Sequence, residues 1–100
     1  MIVRVDLENG PSLEEPEVLT GFHAVSSTTD DSLVGAAMGE AGAPAGEGHV
    51  WVAASWVREQ AAPVVAADWA SAFEGMIDYA RSKGWMNEAG THIKAHVEEG

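Results

Sequence analysis

Apolar and polar positions alternate from the first residues. In residues 2–7, IVRVDL, Val3, Val5 and Leu7 alternate with Arg4 and Asp6. Period two marks a strand with one buried face. Asn9-Gly10-Pro11 then breaks the pattern. In residues 12–26 the period changes. Ser12 and Glu15 have capping-box spacing, and Val18, Phe22 and Val25 recur at i, i+4 and i+7. Glu14, Glu15 and Glu17 crowd the start, where a helix dipole favours acids, and Pro16 suits a first turn. The spacing predicts a helix. Gly21 weakens it, so a strand over 18–25 is the alternative.

Residues 27–31, STTDD, are turn chemistry. Residues 32–40, SLVGAAMGE, fit two elements. Thr29 or Asp30 could cap a helix bearing Leu33, Ala37 and Met38, yet Gly35 and Gly39 weaken a helix and a strand alike. The next apolar segment tilts the choice. HVWVAASWVRE, residues 49–59, has apolar residues on both alternating faces and reads as a central strand in need of a hairpin partner. Strand is therefore the expectation for 32–40, with 41–48, AGAPAGEG, as a flexible loop.

Residues 66–84 carry the clearest helix. Trp69, Ala72, Phe73, Met76, Ile77 and Ala80 form one stripe, and Asp68 is a plausible cap. Gly84 suits the left-handed position after the last turn, with Trp85 folding back on Ala80. In residues 91–98, Ile93, Ala95 and Val97 alternate with His92, Lys94, His96 and Glu98. A helix there would set its charges against its dipole, so a strand is expected.

The resulting order is β-α-β-β-α-β in a single domain over 1–100. Right-handed crossovers turn that order into a ferredoxin-like α+β sandwich, a four-stranded antiparallel sheet with two helices on one face. The first and last strands would then be neighbours. Their polar sets, Arg4, Asp6, His92, Lys94 and His96, would share the open face. Trp51 and Trp56 have opposite strand parity, so one of them should join that face.

Composition narrows the chemistry. The chain has 100 residues, with sixteen acids against five Lys or Arg and a net charge of −11. Residues 1–50 hold nine acids and Arg4 as their one strong base. A field of this sign repels nucleic acid and anionic lipid. No cysteine is present, which excludes disulfides, thiolate metal sites and a cysteine nucleophile. Met1–Gly10 carries Arg4, Asp6 and Glu8, unlike a signal peptide, and no apolar run approaches the ~20 residues of a membrane span. A cytoplasmic location is the expectation. Neither a phosphate-binding glycine loop nor a serine-nucleophile motif occurs.

His92 and His96 have the H-x-x-x-H spacing that chelates a metal on a helix. On a strand they lie about 13 Å apart at ~3.3 Å per residue, so no metal and no cofactor is expected. Histidine is the natural proton carrier near neutral pH, and His23, His49, His92 and His96 are the candidates. The favoured reading is a small homodimer that pairs its open sheet faces around a small-molecule cavity. His92 or His96 would move a proton there with Asp6 as orienting carboxylate, in an isomerisation, cyclisation or dehydration. Arg4, Trp51, Trp56 and Lys94 would bind the ligand. The alternative is a non-catalytic acidic module that docks a basic partner.

Overall fold

A computed structural model describes residues 1–100. Its six strands are β1 (Ile2–Asp6), β2 (Gly10–Glu14), β3 (His23–Ser26), β4 (Gly42–Gly46), β5 (His49–Ala53) and β6 (His92–Glu99). The helices are α1 (Asp31–Ala37), α2 (Ala54–Ala61) and α3 (Trp69–Ser82), with a 3-10 turn at Gly39–Ala41. The strands form one mixed sheet in the order β2-β1-β3-β6-β5-β4. β1–β3 and β3–β6 are parallel; β1–β2, β6–β5 and β5–β4 are antiparallel. The sheet is strongly curled, like half a barrel.

The expected ferredoxin-like sandwich is therefore wrong, and each departure has a physical reason. The segment 12–26 is not a helix. Pro11 and Leu13 face Val5 and Val3 across β1–β2, while Ser12 and Glu14 point the other way. The helical spacing of Val18, Phe22 and Val25 is coincidental: Val25 belongs to a strand whose buried residues are Ala24 and Ser26. Residues 31–37 are the helix that was the lesser alternative. Asp30 caps it, its carboxylate accepting from the backbone N–H of Ser32 at 3.0 Å and Leu33 at 3.3 Å. The partner of β5 is β4, a Gly-Ala-Pro-Ala-Gly strand inside the expected loop. The long strand expected over 49–59 stops at Ala53, where α2 begins.

Small residues allow this close packing. A Cβ on Gly35 would collide with the Pro44 ring, and one on Gly42 with the Trp51 carbonyl oxygen. Gly35, one of the two glycines that weaken a helix or strand over 32–40, thus lets α1 lie against β4; Gly39 has no close neighbour. On the helix side the core consists of Val3, Val5, Ala24, Val50, Val52, Ile93, Ala95 and Val97, covered by Val34, Val57, Trp69, Phe73 and Ile77. Each such valine or isoleucine contributes about 1.5–3 kcal/mol by leaving water. Trp69 stacks on Phe73 at 4.8 Å, and its indole N–H donates to the Pro16 carbonyl at 2.6 Å.

β1, α3 and β6 lie where the sequence expects them. α3 also ends as expected. Gly84 has φ 77°, and the N–H of Trp85 reaches the Ala80 carbonyl at 2.9 Å.

Candidate functional site

The registers assign every strand residue to a face. Val52 faces Ile93 and Val50 faces Ala95 on the covered side, so His49, Trp51, His92, Lys94 and His96 point to the other. Ala24 and Ser26 are buried in β3, which puts His23 on the open side as well. All four histidines of the chain thus share one sheet face.

Turn geometry brings two of them together. The β4–β5 turn is tight, with positive φ at Gly46, Glu47 and Gly48. Asp31 at the start of α1 pins it, accepting from the N–H of Gly46 at 3.1 Å and Gly48 at 3.4 Å. The Gly48 carbonyl then accepts from Val97 N–H at 2.8 Å, which sets the register of β5 on β6. That register places His49 opposite His96, and their ring centroids are 5.4 Å apart. His49 Nδ1 lies 3.0 Å from the Glu47 carbonyl oxygen. A carbonyl only accepts, so Nδ1 carries the proton and Nε2 of the neutral ring keeps its lone pair.

Lys94 is the next residue on the same face. Its ammonium sits over the Trp51 ring, 5.4 Å from the centroid. The Trp85 carbonyl accepts from Lys94 N–H at 2.7 Å and so brings Trp85 alongside. Phe22, just before β3, stands on the same border. Together Phe22, Trp85, Lys94, His96, His49 and the 45–47 turn enclose a groove of about 430 Å³.

The other expected residues lie elsewhere. β1 and β6 are not neighbours, because β3 runs between them. Arg4 donates to Glu14 at 2.8 Å, and that hydrogen bond and charge raise its pKa further. Asp6 accepts from the N–H of Asn9 and then Glu8, which together lower its carboxyl below the ordinary 3.8. Both line a separate cleft with Ser26 and Gly100. His92, the first residue of β6, is tied back to the preceding loop. Its Nδ1 lies 2.7 Å from Thr91 Oγ1 and 3.3 Å from Asn87 Nδ2. Trp56 leaves the sheet on α2 and packs against the core. Of the expected set, Lys94, His96 and Trp51 come together; Arg4, Asp6, His92 and Trp56 do not.

Sequence reasoning missed Phe22, Trp85 and the His23–Glu98 contact, where Nε2 and Oε2 are 3.2 Å apart. The period-two pattern His23-Ala24-Val25-Ser26 was the available signal for His23. Nothing in the sequence signals that Trp85 borders a groove. No group of three or more His, Cys, Asp or Glu is arranged to hold a metal ion. No helix is long and apolar enough to cross a membrane. Comparison with protein-family models, curated proteins and solved structures gives no match.

Proposed function

We propose that the protein binds a small organic anion on the open face of its sheet and moves a proton on it. One observation carries this reading: a chain of net charge −11 gathers Lys94, His49 and His96 around one groove bordered by Phe22 and Trp85. Of the other strong bases, Arg4, Arg58 and Arg81 each pair with a carboxylate of the chain, while Lys83, like Lys94, lies over an aromatic ring and pairs with no carboxylate. At Lys94 an incoming anion meets an ammonium beside two imidazoles, so its charge is met rather than repelled.

The chemistry follows from those groups. The free Nε2 of His49 accepts a proton from a carbon next to a carbonyl. Lys94 stabilises the negative charge that develops on the carbonyl oxygen, and His96 returns a proton to the same or a neighbouring carbon. The net change is an isomerisation, and the same groups suit cyclisation or dehydration. Such a step uses no cofactor. In this reading the protein works in the cytoplasm, and a second copy laid over the open face closes the groove.

Incubation with a panel of 2-oxo acids in D₂O, followed by proton NMR, tests the reading. The expected result is loss of a C3–H signal, slowed about 100-fold in His49→Ala and His96→Ala, within the range general acid–base groups supply. Exchange no faster than in buffer for every acid contradicts the catalytic step.

A second reading has its own observation. With three arginines already paired, most of the sixteen carboxylates have no basic partner. That surface suits a non-catalytic module that docks a basic protein. Its association rate should fall steeply with added salt; a rate unchanged by salt rules this docking out.

A further inference from the structure

We infer that the ligand is an amphipathic monocarboxylate whose head sits on Lys94 and whose apolar tail lies in a second cleft. This deepens the proposed binding function and rests on it. The second cleft, of about 330 Å³, is lined mainly by apolar side chains, among them Leu19, Met76, Tyr79 and Ile93. It shares Phe22, Trp85 and Lys94 with the histidine groove, so the two adjoin at those residues.

Beyond the residues they share, the two spaces differ in chemistry. The histidine groove offers an ammonium and two imidazoles. The cleft offers a thioether, three aromatic side chains and aliphatic carbon. Two of its aromatics remain open to solvent: Trp85 is 45% exposed and Tyr79 is 57% exposed, with their rings edge to face at 5.9 Å. Exposed aromatic surface bordering a cavity is where an apolar ligand gains most by leaving water. The boundary between the spaces is itself fixed. Lys94 is anchored by its N–H to the Trp85 carbonyl, and Trp85 by its N–H to Ala80 at the end of α3. The wall formed by residues 18–22 is anchored too, since the Met1 ammonium donates to the carbonyls of Val18 at 2.7 Å and Gly21 at 3.0 Å. Burial holds that ammonium below its ordinary pKa of 8.0.

Net charge selects the head. A field of −11 repels a polyanion at long range, and Glu47 stands at the groove's rim. One negative charge can be matched by Lys94; several cannot. Affinity must then come from the tail, which is the role of the second cleft.

The test is calorimetric titration of the intact protein with straight-chain carboxylates from acetate to decanoate, with the matching alcohols as controls. The expected result is affinity rising about fourfold per methylene until the cleft is full, the factor that burying one CH₂ supplies. Lys94→Met should weaken every acid by a similar factor and leave the alcohols unaffected. Methyl NMR should show Leu19 and Met76 shifting with decanoate but not with acetate. This reading needs no cavity-filling variant, so misfolding cannot obscure it. Acids that bind through Lys94 with the same affinity at every length overturn the tail inference and leave the binding function standing. Long acids and alcohols that bind equally, unaffected by Lys94→Met, overturn it as well. Failure of every acid to bind removes both the inference and the function beneath it.

Discussion

Individual residues carry two kinds of role on the open face, and their hydrogen bonds separate them. His49 spends Nδ1 on the Glu47 carbonyl and keeps Nε2 for solvent or ligand. His92 spends its Nδ1 within the 87–92 loop. The Asn87 carboxamide oxygen accepts from the N–H of Thr91 at 2.8 Å and His92 at 3.1 Å, closing that loop. Asn87→Ala should therefore lower stability by about 0.5–1.5 kcal/mol, the net worth of hydrogen bonds to one exposed and one partly buried donor. Urea unfolding checks this; an unchanged midpoint contradicts it. Asp6 behaves differently. Its pKa is depressed by the Asn9 and Glu8 amides, so its contribution is present above 3.8 and lost as pH falls through the lower folded value. Asp6→Asn keeps the accepting oxygen and removes the charge. Below pH 3.8 the wild-type urea midpoint should fall more steeply with pH than the variant's, and parallel curves contradict the assignment.

At the scale of elements, much was legible in the sequence. The period-two runs of β1 and β6 and the stripe of α3 mark their elements, because each buries one face against the core. The rest was hidden by tertiary choices. β4 has almost no side chains to announce it. It exists because α1 lies close over Gly42 and Pro44 and because β5 would otherwise carry an open edge. β2 reads locally as a helix start, yet Leu13 and Pro11 gain more by covering Val3 and Val5. The four-histidine face was hidden for the same reason: the strand parity of His92, Lys94 and His96 was legible, but β1 was expected beside β6 where β3 and β5 stand, so His23 and His49 were not placed with them. Gly35→Ala tests the close approach of α1 to β4. A methyl there meets the Pro44 ring, so the variant should lose about 1–3 kcal/mol, although alanine alone favours a helix. Stabilisation by that substitution, seen as a raised thermal midpoint, contradicts the packing. Asp30→Ala should cost about 1 kcal/mol through the lost cap, measured in the same way.

For the whole molecule, charge and topology act together. The curled sheet has helices over one face and leaves the other to polar side chains, so the core is complete without covering the histidines. Three of the five strong bases are engaged in ion pairs on the helices and β1, which leaves Lys83 and Lys94, and of these two Lys94 faces the groove. Light scattering at low and high salt checks the proposed pairing of two copies over this face. A dimer at both is expected; a monomer at both removes that means of closing the groove. The central claim, that an anion is held between Lys94 and the paired histidines, is tested most directly by an NMR titration with butyrate. Saturable shifts should appear at His49, His96, Lys94, Phe22 and Trp85 and disappear in Lys94→Met. Shifts around Arg4, Asp6 and Ser26 in the separate cleft, or no saturable shift at all, would contradict it.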